Sequence, residues 1–362
     1  MNKEYNYIIV GAGSAGCAIA NRLSKNPDNK ILLIEAGNNS HPLSRLPASF
    51  ALLIDNPSAN WRYRSEPEEN TSNRQIPIPR GKLLGGSSSI NGLVYVRGNK
   101  LDYDTWAQLG NTGWSYDDVL PFFKKMENYQ GEITEVRSTE GPLKISEVVD
   151  RNPIYEGLFK GADEIGIPIN KDYNGHEQEG ISYTQTTIFK GERMSAEVAY
   201  LRPIRSRKNL KIITNSLVTK LIFDGKTCKG VKVKNKNKIT DFFAQNEVIL
   251  CGGAINSPQI LELSGIGNRS LLEEKGISLV HELKGVGENL RDHLGPRLVY
   301  NITKRGISYN DKARGVNLIK QVLKYVFKRE GFLTLPSAPV LGFFKTRKEL
   351  AAPDIQVHFI PY

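Results

Sequence analysis

Gly11-Ala12-Gly13-Ser14-Ala15-Gly16 is a G-x-G-x-x-G run, and an acid, Glu35, follows about twenty residues later. Residues of these types at this spacing can hold a dinucleotide. Gly11 permits a tight turn, Gly13 lets backbone approach a pyrophosphate, and Gly16 lets the next helix pack closely on a strand. Ser14 stands beside them as a candidate contact. The Glu35 carboxylate can accept hydrogen bonds from an adenosine ribose, which suits a free 2′-hydroxyl and so favours FAD or NAD over NADP. The fingerprint alone does not separate FAD from NAD.

The elements around these residues fit that task. Tyr7-Ile8-Ile9-Val10 reads as a buried parallel strand, and Ile31-Leu32-Leu33-Ile34 as a second one ending at Glu35. Between them a helix is expected, with Ala15, Ala18, Ile19 and Leu23 on its inner face and its N-terminal N–H groups aimed at phosphates. Strand, glycines, helix, strand and acid in this order distinguish a binding βαβ unit from a merely structural one.

A second glycine-rich stretch, RGKLLGGSSSING at 80–92, could be taken for a tether. Its flanks, IPIP and LVYV, are apolar and ordered in character, so it reads as backbone that lies against something. Gly85 and Gly86 allow such an approach, and Ser87, Ser88 and Asn91 add short donors and acceptors.

Bulk properties set the frame. At 362 residues the chain is long enough for two domains or one large α/β domain. Hydrophobic content of 39% and charged content of 24% are those of an ordinary soluble protein. The net charge of +11 is spread out, and its densest cluster, KVKNKNKIT at 232–240, reads as a solvated hairpin tip. Without aromatic interleaving or a recognition motif, nucleic acid is not an expected partner. Cys17, Cys228 and Cys251 have no metal or disulfide spacing, and Cys17 and Cys251 read as packing residues. MNKEYNYIIV passes directly into a strand, leaving no room for a signal peptide, and no apolar run reaches the ~20 residues needed to span a bilayer. A cytoplasmic location is expected, with peripheral membrane association left open.

Residues 80–123, RGKLLGGSSSINGLVYVRGNKLDYDTWAQLGNTGWSYDDVLPFF, resemble a signature segment of the glucose-methanol-choline (GMC) oxidoreductases, most closely the choline-dehydrogenase-like branch. AINSPQILELSGIG at 254–267 resembles the family's other signature, and LKGVGENLRDHLG at 283–295 is also similar to family sequence. The resemblance implies FAD as the cofactor, in an α/β, doubly wound Rossmann-like domain over 1–300. The beginning of an antiparallel-sheet substrate domain would follow over 301–362, with 142–190 contributing on the substrate side. It places Gly85, Gly86, Ser87, Asn91 and Gly92 along the pyrophosphate and isoalloxazine, Val218 on the adenine side, and Gly252 close to the ligand. Some relatives attach flavin covalently through a histidine in this segment; Ile90 stands there in this chain, so non-covalent FAD is expected.

The implied reaction moves a hydride from an alcohol, choline-like by this resemblance, to flavin N5 while a base takes the hydroxyl proton. The family's catalytic histidine and its histidine or asparagine partner lie beyond the point equivalent to Tyr362. The histidines at 41, 176, 281, 293 and 358 do not match that motif. The chain is therefore expected to be the N-terminal part of such an enzyme. Two readings stay open: an enzyme half working with a separate C-terminal fragment, and a non-catalytic flavin-binding remnant. The electron acceptor, quinone or oxygen, is not readable, and membrane association could arise through it.

Smaller features complete the reading. Ser115 with Asp118 forms a capping box, Trp106 and Trp114 are expected in a core, and RMSAEVAYLRP is expected to be a helix ending at Pro203. A turn at Asp224-Gly225 joins two strands, and DIQVHFIPY holds another. Gly285-Val286-Gly287 reads as a close approach to flavin, and Asp292-His293 as cofactor-domain residues rather than a catalytic pair. QVLKYVFKREGFLTL contains a basic amphipathic helix, expected to pack on the sheet rather than lie on a membrane.

Overall fold

The computed structural model describes residues 3–361. Strand β1 (Lys3–Val10) leads through the glycine turn into helix α1 (Ser14–Leu23) and strand β2 (Ile31–Ile34). Ile8, Ile9 and the whole of β2 are buried, as expected of strands covered on both faces. Strands β3 (Leu210–Ile213), β4 (Leu217–Asp224), β5 (Thr227–Asn235) and β6 (Lys238–Leu250) complete one six-stranded sheet in the order β3-β2-β1-β6-β5-β4. The pairs β3–β2, β2–β1 and β1–β6 are parallel, while β6–β5 and β5–β4 are antiparallel. This is the expected α/β, Rossmann-like sheet, extended on one side by hairpins that turn at Asp224-Gly225 and at the lysine-rich tip. Helix α2 (Gly253–Leu263) follows β6 directly.

Helix α1 buries Gly16, Cys17 and Ala20, not the face predicted from Ala15, Ala18, Ile19 and Leu23. A Cβ at Gly16 would lie 1.9 Å from the Gly11 carbonyl oxygen, so only the smallest side chains fit the closest face. Ala15 is exposed, and Ala18, Ile19 and Leu23 are partly buried.

The chain divides into two compact units. The first comprises the residues up to Pro42, Leu52–Ile90 and Ser195–Val299; the second comprises Leu43–Ala51, Asn91–Met194 and the residues from Tyr300 on. One division falls between Val299 and Tyr300, and residues 91–194 group with the C-terminal segment.

In the second unit, strands Gly180–Tyr183, Val340–Phe344 and Ile355–Phe359 form an antiparallel sheet with the central strand at 340–344. The same unit fully buries Glu127, whose Oε1 lies 2.7 Å from Arg97 Nη2 and 3.0 Å from Arg137 Nε. Arg137 also reaches Asp172 at 2.9 Å and Gln185 at 3.0 Å. Helix Tyr116–Met126 starts at the predicted capping box: Asp118 N–H donates to Ser115 Oγ and Ser115 N–H to Asp118 Oδ2.

Three expectations are corrected. Trp106 and Trp114 are 46% and 53% exposed and pack edge-to-face on each other instead of entering a core. Residues 197–204 form a π turn and a 3₁₀ turn that continue through Pro203 rather than stopping at it. The basic helix Gly315–Lys328 exists, but none of its residues is buried. It rests only its Gln321 and Tyr325 side inward, with Gln321 Oε1 accepting from Phe332 N–H at 3.2 Å.

Candidate functional site

The parallel strands end at one edge of the first unit, where side chains give way to glycine backbone. Gly11 N–H donates to the Ile34 carbonyl at 2.8 Å, and Cys251 N–H to the Val10 carbonyl at 2.7 Å, so the tips of β1, β2 and β6 are tied together. Gly11 has φ +97°, and a Cβ there would stand 2.4 Å from the Cys251 carbonyl oxygen. Both the turn and the close approach therefore need glycine.

Gly13, the N-cap of helix α1, provides no side-chain cap, and the first turn of the helix holds no acid. The first N–H groups of the helix are thus left to an outside acceptor, which is the electrostatic requirement of an anion site. The second glycine run lies against this turn. Gly85 N–H donates to the Ala12 carbonyl at 2.8 Å, and a Cβ at Gly86, which has φ +53°, would be 2.7 Å from Gly13 Cα. Residues 83–86, Ser89 and Ile90 are buried. The run is therefore ordered backbone, and the tether reading is excluded.

A cavity of about 460 Å³ opens over these elements, within the size range of small-molecule sites. Of the residues predicted from sequence, Gly11, Gly13, Ser14, Glu35, Gly86, Ser87, Val218 and Gly252 line it. Gly16 and Gly85 lie behind it as packing glycines; a Cβ at Gly85 would meet Ser89 Oγ at 2.3 Å. Asn91 and Gly92 belong to the other compact unit and do not line the cavity. There, Asn91 Oδ1 and its carbonyl each accept from Arg193 Nη1 at 2.7 Å. Ser88, also considered from sequence, is engaged in the fold: its hydroxyl donates to the Gly85 carbonyl at 2.5 Å and accepts from Ala196 N–H at 2.9 Å.

Glu35 is buried, and its two oxygens accept from Ala12 N–H at 2.9 Å and Gly37 N–H at 2.8 Å. Burial raises its pKa above the usual value, partly offset by these amides and by Lys82. Each oxygen keeps further acceptor capacity, so the carboxylate can still take donors from the cavity. Burial pushes the Cys17 thiol up to about 12, and its Sγ donates to the Ala12 carbonyl at 3.2 Å. It is a packing group. Cys251 is only half-buried.

Sequence reasoning missed the opposite wall. Trp61, Arg80 and Asn256 also line the cavity. Trp61 stacks on Tyr63 with ring centroids 5.7 Å apart, Lys82 Nζ sits 4.5 Å over the indole, and Asn256 Nδ2 donates to the Tyr63 hydroxyl at 2.7 Å. Arg80 opens the very run quoted above and Asn256 sits within AINSPQ, so both were within reach of a closer reading of those segments. Trp61 carries no local signal.

None of the five histidines lines this cavity. His176, His281, His293 and His358 are exposed, and His41 lies 3.4 Å from Asn56. The Gly285–Gly287 loop does not reach the cavity either. Among the described residues no cluster could hold a metal ion, and no helix is long and apolar enough to cross a membrane.

A family model described as GMC oxidoreductase matches residues 5–295. The chain is 41% identical to the alcohol dehydrogenase (acceptor) of Pseudomonas putida, aligned over 99% of this chain and 65% of that protein. It is 38% identical to the oxygen-dependent choline dehydrogenase of Photobacterium profundum, over 100% of this chain and 64% of that protein. Among solved structures it is similar to an FAD-dependent oxidoreductase from Chaetomium thermophilum, with a TM-score of 0.83 and 30% identity over 94% of this chain and 61% of that one. The chain thus spans just under two thirds of the length of these relatives.

Proposed function

The chain belongs to the GMC oxidoreductase family, and from that premise we propose that it holds FAD non-covalently, as the flavin-binding part of an enzyme that oxidises an alcohol of choline type. The observation that carries this reading is the convergence of the two glycine runs, Glu35 and Val218 on one cavity above an uncapped helix N-terminus.

FAD, when bound, supplies the hydride acceptor. The chain's own residues would bind and orient it. The first-turn N–H groups of α1 and the backbone at Gly11 and Gly13 face the diphosphate, the Glu35 carboxylate takes the ribose hydroxyls, and Val218 offers an apolar wall to the adenine. Gly86 and Ser87 close over the glycine turn without occupying the space. Ile90, packed with Leu53, Ala59 and Leu83, has no atom that could bond covalently to a flavin.

A second reading rests on the histidines. Since none lines the cavity, the base that takes the alcohol's proton would come from polypeptide other than these residues, and this chain would bind flavin without turning over alone. An absorbance spectrum of the purified chain, before and after anaerobic choline, separates the cases. A flavin band that persists supports the binding part awaiting its base. A band that bleaches shows unaided oxidation and removes the second reading. Folded protein without a flavin band, even after incubation with FAD, overturns the proposal.

A further inference from the structure

Among the described residues that line the cavity of the first unit, only Glu35 and Arg80 carry charged side chains. The cation acting on Glu35 is Lys82, whose charge partly offsets the effect of burial on that acid. Arg80 is thus the cation that the cavity wall presents to a ligand. Trp61 and Asn256 on the same wall are neutral and engaged with Tyr63, one by stacking and the other by a hydrogen bond.

The fold holds this residue firmly. Arg80 N–H donates to Asn60 Oδ1 at 2.9 Å, and the Arg80 carbonyl accepts from Trp61 N–H at 2.9 Å. Asn60 is itself buried, so the side chain rises from a fixed root. The next residue, Gly81, lies against the second glycine run: a Cβ there would stand 2.2 Å from the Gly86 carbonyl oxygen, and Gly81 N–H donates to Ser87 Oγ at 3.1 Å. Gly86 in turn presses on Gly13, the N-cap of α1. Successive glycine contacts therefore bring residue 80 to the end of the cavity where the first turn of α1 opens. Arg80 Nη1 donates to the Pro79 carbonyl at 2.8 Å, which steadies the guanidinium without neutralising it.

We propose that the Arg80 guanidinium pairs with the diphosphate of the bound dinucleotide, opposite the first turn of α1. A helix N-terminus carries roughly half a positive charge, and a diphosphate carries more negative charge than that can offset. A guanidinium supplies a full charge and a planar fork that matches two phosphate oxygens. Its root is already ordered, so little freedom is lost when the ligand arrives. The identity of the ligand rests on the flavin reading above; the call for a diphosphate rests on the charges of the cavity.

The test is titration calorimetry of the whole 362-residue chain, freed of flavin, with adenosine, ADP and FAD as separate probes. ADP is expected to bind the wild-type chain at least about tenfold more tightly than adenosine, and rising salt should narrow that gap. Arg80→Gln should remove most of the gap, raise the Kd for FAD about thirtyfold and leave the Kd for adenosine within about twofold. Arg80→Lys keeps the charge but loses the fork, and should fall between the two. Far-UV circular dichroism checks that both variants fold. An Arg80→Gln chain that binds ADP and FAD like wild type would overturn the proposal. So would one that loses adenosine as much as ADP, since Arg80 would then only shape the wall. A wild-type chain that binds ADP but not FAD would sink the flavin reading alone, with the ADP comparison still deciding the role of Arg80. Binding of neither would sink both.

Discussion

If Glu35 holds the ribose as proposed, this one side chain ties stability to binding. Its raised pKa means the fold favours the protonated acid. This contribution to stability is fully present below the ordinary value of 4.5 and is lost as pH rises through the higher folded value. Urea midpoints of the FAD-free chain should therefore fall across that window, and Glu35→Gln should remove the slope. The same variant places an amide against two N–H donors, which should cost about 1–3 kcal/mol and lower the flavin bound per chain. Gly86→Ala tests the cradle from the other side. Its Cβ would press to 2.7 Å on Gly13 Cα from a backbone at φ +53°. A destabilisation of about 1–3 kcal/mol is expected from the strain alone, together with loss of the flavin band; a variant that melts and binds like wild type would show that the two loops separate easily.

At the scale of elements, local chemistry starts helices and buried charge fixes what they pack on. Ser115→Ala removes one arm of the capping box before Tyr116–Met126 and should cost about 1 kcal/mol in urea denaturation. Glu127→Gln should cost several times more, about 3–5 kcal/mol, because it strands Arg97 and Arg137 in a dry interior. These two sites also mark what the sequence could reveal. The capping box, the βαβ unit and the two glycine runs were legible because each depends on neighbours within a few residues. Glu127 was not legible, since its partners Arg97, Arg137 and the surrounding Gln185 lie at separations no local pattern encodes. Trp106 and Trp114 misled because aromatic character signals burial only on average; here the rings cover each other at the surface. The wall of Trp61 and Arg80 stayed hidden for the same reason of distance, although Arg80 begins a segment already singled out.

On the scale of the whole molecule, the three tryptophans divide between the compact units, with Trp61 in the first and Trp106 and Trp114 in the second. Added FAD should quench Trp61, which lines the cavity, so Trp61→Phe should lose most of the emission change while Trp106→Phe/Trp114→Phe keeps it. Equal loss in both variants would place the ligand elsewhere. The net charge of +11 acts on this same scale and governs how the chain meets polyanions and surfaces, whereas the fold rests on the buried sheet.

The bond from Cys251 N–H to the Val10 carbonyl, and the press of Gly11 on Cys251, join residues 241 and 240 positions apart. A nascent chain that has produced only the first βαβ unit therefore has half a cradle. Synthesis at ~5–20 residues per second leaves that half waiting on the order of 10–50 s for β6 to emerge. High contact order of this kind slows folding, and under the proposed flavin reading it makes cofactor capture a late event in biosynthesis. On that reading the cofactor would lock only a polypeptide already translated past Cys251.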